Sequence, residues 1–257
     1  MTRIFDSHAH FDNDWYDEDR ELIMQDATQE LLGIINPGTD LETSRLAKEY
    51  ATQYHNIYAG LGFHPHDAKK MQSTDLQTFA EWAEHPKVVA IGEIGLDYYY
   101  DHSPREVQRR VFIEHIDLAK QLHLPIIVHD RDAHGDIMEI IKTEAKGVPG
   151  VFHCYSGSLE MAKELLKMGY YLSFGGSATF KNAHKLREVV RFVPLERILL
   201  ETDSPYLAPE PYRGKRNIPN MVQVVLARVA QERGESTETL AQATNKNISD
   251  LFAKIKL

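Results

Sequence analysis

Short apolar runs that end in polar or titratable residues recur along this chain. Eight of them read as strands: Arg3–His8, Leu32–Asn36, Ile57–Gly62, Val88–Glu93, Pro125–His129, Gly150–His153, Tyr170–Gly175 and Ile198–Asp203. The stretches between them carry helical spacing. Ser103-Pro104-Arg105-Glu106 predicts a capping box with proline in the first turn, and Val107, Val111, Phe112, Ile116 and Ala119 then recur on one face. Thr39 to Glu42 predicts a second capping box. Strand ends near 8, 36, 62, 93, 129, 153, 175 and 203 keep a beat of roughly thirty residues, the length of a βα unit. Eight such beats predict an α/β fold of the (β/α)8 TIM-type barrel class, in preference to a doubly wound open sheet. No linker, low-complexity stretch or charge run divides residues 1–257, so one domain is expected.

The strand ends carry the chemistry. Side chains on a strand alternate faces, so Asp6, His8 and His10 share one face. Glu93 ends the fourth run, His129 the fifth, His153 the sixth and Asp203 the eighth, with Glu201 one layer deeper. In a barrel these ends meet at one rim. A lone buried histidine is ordinarily a hydrogen-bonded core residue. Four histidines and two carboxylates ending five strands are a different matter, because burying them together without a counter-ion is costly. The set predicts two divalent ions: His8, His10 and Asp203 around one, His129 and His153 around the other, and Glu93 bridging. Mixed imidazole and carboxylate donors suit Mg, Mn or Zn. Asp6 is expected behind the ligands as a hydrogen-bond partner.

Other features matter less. His64 and His66 follow the third strand at the same rim: His64 is a candidate contact to substrate, and both could simply turn the loop around Pro65. His115 and His123 lie in a helical stretch and read as structural or exposed. "GLGFHP" has Pro65 where a dinucleotide fingerprint needs its third glycine. Cys154 adjoins His153, so alternation turns it to the other face, against a helix. The proline-rich segment 204–219 brings Arg213, Lys215 and Arg216 to the rim as a candidate anion clamp, and Arg131 shares a face with His129.

Composition narrows the partners. Hydrophobic residues are 42% and charged residues 26%, ordinary for a globular chain. A single cysteine rules out an internal disulfide, and no apolar run reaches membrane-span length. The expectation is a cytoplasmic protein with no membrane and no obligate protein partner. The net charge of -9 argues against a long electrostatic grip on duplex DNA. It leaves room for a local basic patch that takes a strand end or a single strand.

"DSHAHFD", "GFHPH", "GEIGLDYY", "PIIVHDRDA", "VFHCYSG" and "LLETDSPYLAPEPYRGKRN", in this order, resemble the TatD family of metal-dependent hydrolases, within the amidohydrolase superfamily. The resemblance runs from residue 4 to about 220. It implies a (β/α)8 barrel with a divalent metal site whose ligands are His8, His10, Glu93, His129, His153 and Asp203. It implies a deoxyribonuclease activity that includes release of nucleotides from 3′ ends. The alternative it leaves open is hydrolysis of an amide, lactone or aminoacyl ester, such as D-aminoacyl-tRNA. On the nuclease reading Asp203 takes a proton from water, Glu93 joins the two ions, and His64, Arg213 and Lys215 hold the phosphate. DNA is then the partner, as substrate.

Overall fold

Eight parallel strands follow one another around a single sheet in sequence order. They are β1 (Phe5–Asp6), β2 (Gly33–Pro37), β3 (Ile57–Leu61), β4 (Val88–Asp97), β5 (Ile126–Arg131), β6 (Gly150–Phe152), β7 (Tyr171–Phe174) and β8 (Ile198–Leu200). The computed structural model describes residues 3–257. Bonds from Ser7 N to Leu200 O, Asp203 N to His8 O and His10 N to Ser204 O close β8 onto β1. The fold is therefore the expected eight-stranded α/β barrel, jacketed by helices α1 (Arg20–Glu30), α2 (Leu41–Gln53), α3 (Asp75–Trp82), α4 (Arg105–Leu122), α5 (His134–Thr143), α6 (Leu159–Lys167), α7 (His184–Phe192), α8 (Val222–Arg233) and α9 (Thr237–Leu251).

Alternation explains how one strand serves two layers. Ile126 and Val128, Phe152, and Ile198 and Leu200 belong to the layer between sheet and helices. Ile127, Val151 and Leu199 point the other way and pack with Phe5, Ile35 and Val89. That inner cluster is sealed by Ile248 and Leu251 of α9 and by Phe252 and Ile255 beyond it. Each such side chain contributes about 1.5–3 kcal/mol through burial. Two residues further along the inward faces stand His129, His153 and Glu201. The barrel interior is thus apolar at its floor and titratable at its mouth.

Local details depart from the sequence reading. The capping box at Thr39 forms one residue later: Asp40 Oδ1 accepts from Thr43 N at 2.9 Å and Thr43 Oγ1 from Asp40 N at 2.9 Å. Ser103 does not cap α4. Its hydroxyl donates to His66 O at 2.8 Å and accepts from Lys69 N at 3.2 Å, so it ties down the loop after β3 instead. β4 runs four residues past Glu93, with a register irregularity against β5 between Ile91 and Ile94. Gly95 permits this close approach: its φ is +146°, and a Cβ there would lie 2.0 Å from His129 O. Among the described residues no helix is long and apolar enough to cross a membrane.

His115, on α4, has the structural role the sequence suggests. It is fully buried, packs edge-on against Phe63, and its Nδ1 donates to Val111 O at 2.8 Å. Burial pushes its pKa down to about 4. The unfolded chain, with an ordinary histidine near 6.5, takes up the proton first, so stability falls as pH drops from about 6.5 towards 4. The full loss is about 3 kcal/mol. His115→Leu removes that liability. Urea unfolding in EDTA should show the variant gaining about 2 kcal/mol on wild type between pH 7.5 and pH 5. A difference independent of pH would mean that His115 is charged or water-accessible in the fold.

Candidate metal centre

The ends of β1, β4, β5, β6 and β8 deliver the expected side chains to one place. Glu93 is at its middle and is only 2% exposed. Its Oε2 lies 3.1 Å from His8 Nε2 and 3.4 Å from His10 Nε2. Its Oε1 lies 2.8 Å from His129 Nδ1, 2.8 Å from His153 Nε2 and 3.5 Å from His64 Nε2. One carboxylate thus faces two sets of imidazoles, one through each oxygen. Asp203 completes the first set, with Oδ1 3.9 Å from His8 Nε2 and 3.7 Å from His10 Nε2.

The donor atoms suit cations. His8 Nε2 and His10 Nε2 are 3.0 Å apart, and His129 Nδ1 and His153 Nε2 are 3.2 Å apart. A facing pair of ring nitrogens can share only one proton. Lone pairs converging on one another and on the same carboxylate are the arrangement that a divalent cation resolves. His8, His10 and Asp203 form one group with all ligand atoms within 4.8 Å, and His64, Glu93 and His129 form another. These buried clusters are consistent with a binuclear metal site.

Electrostatics follow from this crowding. Burial works against charge on Glu93, but the imidazoles of His153, His8 and His64 outweigh it and hold the carboxyl well below its usual range. Burial, with the nearby His153, takes His8 down to about 4. Burial also opposes charge on His10, yet its hydrogen bond to Glu93 and that residue's charge lift it to about 9. Burial raises Asp203 to about 6 despite the neighbouring histidines.

A supporting layer holds the imidazoles. Asp97 Oδ2 accepts from His66 Nε2 at 2.8 Å and faces His129 Nε2 at 3.4 Å. Glu201 Oε1 accepts from Cys154 N at 2.6 Å and lies 3.5 Å from His153 Nδ1. Carboxylates behind ligand histidines fix the tautomer and aim the free nitrogen forward. Asp6 is a structural partner: its carboxylate accepts from His8 N, Thr202 N and the Thr202 hydroxyl, pinning β1 to the chain beyond β8. The sequence reading missed Asp97 because it stopped the fourth strand at Glu93. Counting on by twos through Gly95 would have placed Asp97 on the same face.

An open cavity of about 810 Å³ covers the centre. His64, Arg213 and Lys215 line it, as does Arg131. His64 sits deeper than a rim residue, beside Glu93 and His129. Arg213 stacks over Phe180 at 4.2 Å, and among the described residues neither it nor Lys215 pairs with a carboxylate. Arg216 corrects the sequence reading. Its guanidinium is taken by Asp19, at 2.8 and 2.5 Å, so it braces the rim instead of clamping an anion. Cys154 is a second correction. Its φ is +41°, which breaks strand alternation, and its thiol lies beside Ser177 and close to Asp203 and Glu201 instead of against an outer helix.

Comparison with known proteins agrees with this architecture. A family profile described as "TatD related DNase" matches residues 5–253. The chain is 46% identical over 251 residues to YabD of Bacillus subtilis, an uncharacterised metal-dependent hydrolase, covering 97% of this chain and 98% of that one. It is 33% identical over 256 residues to the 3′-5′ ssDNA/RNA exonuclease TatD of Escherichia fergusonii, covering 97% and 98%. The crystal structure of YjjV, a TatD homologue from Escherichia coli K12, superposes with a TM-score of 0.90 at 34% identity, covering 98% of each chain.

Proposed function

The chain belongs to the TatD family of metal-dependent hydrolases, within the amidohydrolase superfamily, and from that premise we propose that it is a nuclease cleaving phosphodiester bonds of DNA from the 3′ end. The observation that carries the reading is Glu93, one oxygen towards each set of imidazoles, beneath a cavity lined by Arg213 and Lys215, which pair with no carboxylate among the described residues. A neutral amide or lactone has no use for those cations.

His8, His10 and Asp203 would hold one divalent ion, His129 and His153 the other, and Glu93 would bridge. The chemistry such ions supply is a lowered pKa for water and neutralisation of phosphoryl charge. The chain does the rest. Asp203 borders the cavity and has 14% side-chain exposure against 3% for Glu93, so it can reach the attacking water, orient it and take its proton. Glu93 offsets the charge gathered on the imidazoles. His64, Arg213 and Lys215 hold non-bridging oxygens of the scissile or adjacent phosphate, where guanidinium geometry favours two contacts. Asp97 and Glu201 keep His129 and His153 aimed.

The test uses 5′-labelled single-stranded DNA, duplex DNA and RNA, incubated with Mg²⁺, Mn²⁺, Zn²⁺ or EDTA. A ladder shortening from the 3′ end, lost in EDTA, is the expected result. Intact substrate under every ion, with the protein folded and loaded, would move the function to carbonyl substrates. Aminoacyl-tRNA would be assayed next.

A further inference from the structure

The rings of His8 and His153 stack face to face, with centroids 4.0 Å apart and planes 13° from parallel. Both turn Nε2 to Glu93, at 3.1 and 2.8 Å. Their Nδ1 atoms are buried, and among the described residues neither has a hydrogen-bond partner. The same is true of Glu201 Oε2. His153 Nδ1 and Glu201 Oε1 are 3.5 Å apart, too far for a direct bond of ordinary length. All three side chains are more than nine-tenths buried, and neither His8 nor Glu201 lines the cavity above Glu93. One ring nitrogen of His8, one of His153 and one oxygen of Glu201 lie within 4.8 Å of one another. Unpartnered polar atoms from three strand ends thus gather at one buried place behind the centre.

The donors and acceptors decide what fits there. With Nε2 of both rings given to ions beside Glu93, each neutral imidazole keeps its one proton on Nδ1. Both Nδ1 atoms are then donors, and two donors repel a cation. Glu201 is the acceptor, and its Oε1 already accepts from Cys154 N at 2.6 Å. Two donors and one acceptor are what a single water satisfies: it accepts from both rings and donates to Glu201 Oε2. Three atoms no more than 4.8 Å apart can all be reached from one point at about 2.8 Å, hydrogen-bond length.

We infer that His8, His153 and Glu201 form a buried site for one water, and that through it Glu201 fixes the proton of both rings and acts on both ion sites at once. The inference rests on the two-ion part of the reading above, and not on which bond is cleaved. His8 stands with His10 and Asp203, whereas His153 stands with His129. Glu93 joins the two sets from the front, and Glu201 joins them from behind as a positioning residue. Glu201→Gln exposes the link. The amide keeps the size of the carboxylate, and its oxygen can still accept from Cys154 N. Its NH2 group then meets a water that already accepts two N–H bonds. The water is lost, or one ring moves its proton to Nε2, where an ion needs the lone pair.

Two measurements test this, and neither needs turnover. The first uses wild type with ¹⁵N-labelled histidine, loaded with Zn²⁺. Long-range ¹⁵N–¹H spectra should show the assigned His8 and His153 rings protonated at Nδ1, each proton slow to exchange and cross-relaxing with a bound water. A proton on Nε2 of either ring overturns the inference, as does the lack of a water contact at both. The second is titration of Zn²⁺ against a competing chelator. Glu201→Gln should weaken both ions, each by about 10- to 100-fold. Its Tm should fall far less in EDTA than in Zn²⁺, because without ions either ring is free to change tautomer. One ion weakened and the other untouched would mean that Glu201 serves His153 alone, and overturns the shared site. An equal fall of Tm with and without Zn²⁺ would make Glu201 merely structural, and also overturns it. Wild type that binds no divalent ion removes this inference together with the two-ion reading. Wild type that binds two ions but leaves DNA intact removes the nuclease alone.

Discussion

Glu93→Ala should lower kcat by about 10²- to 10⁴-fold. That range corresponds to about 3–5 kcal/mol of lost transition-state stabilisation, each 1.36 kcal/mol being a factor of ten. Here the missing partner faces five imidazoles at once: His8 and His10 through one oxygen, His129, His153 and His64 through the other. The same change should reduce the bound divalent ion from about two per chain to one or none, since the bridge belongs to both sites. Activity and elemental analysis of the same preparation make the check. A variant that keeps both ions and near wild-type turnover would show that Glu93 merely lines the barrel. The metal-dependent rise in Tm of the wild type should shrink in parallel, because an ion that binds only the folded chain stabilises it by mass action.

Asp203→Asn separates ion binding from proton transfer. The amide keeps the shape and one oxygen donor, but it cannot accept a proton from water. The expected loss is about 10²- to 10⁴-fold in kcat, the usual worth of a positioned general base, with ion content largely kept. KM should change little, since Arg213 and Lys215 still line the cavity. Wild-type kcat should fall at acid pH, as protonation of Asp203 removes the acceptor. Burial places that group near pH 6 before any ion binds, and an ion held beside it lowers the value. If Asp203→Asn turned over like wild type at full ion occupancy, the proton would have to go elsewhere.

Much of this was legible in the chain itself because barrel strands advertise their ends. An inward column such as Ile127 then His129, or Leu199 then Glu201 then Asp203, changes from apolar to titratable within three to five residues. That transition locates the mouth, and the order of the strands brings the columns together. The six side chains His8, His10, Glu93, His129, His153 and Asp203 do converge, and their service as ligands is the proposal built on that. What the sequence could not reveal depends on long-range pairing or on a single dihedral. Arg216 looks like a free cation until Asp19, far away in sequence, takes it. Cys154 obeys alternation until its φ becomes positive. Asp97 belongs to the centre only because Gly95 lets β4 continue against β5. Ser103 reads as a cap by its local motif, yet the loop after β3 claims its hydroxyl.

The seam where Asp203 N bonds to His8 O has a consequence for how the protein is made. His8 and His10 leave the ribosome well ahead of Asp203, which follows about two hundred residues later. At ordinary elongation rates the interval is roughly 10 to 40 seconds. During that time an exposed pair of histidines is a weak trap for whatever transition metal is abundant. The candidate ligands come together, with β8 closed onto β1, only once Asp203 has emerged. An ion held by the whole set would therefore be acquired after that point. Ion identity in a purified sample will report the growth medium as well as the protein.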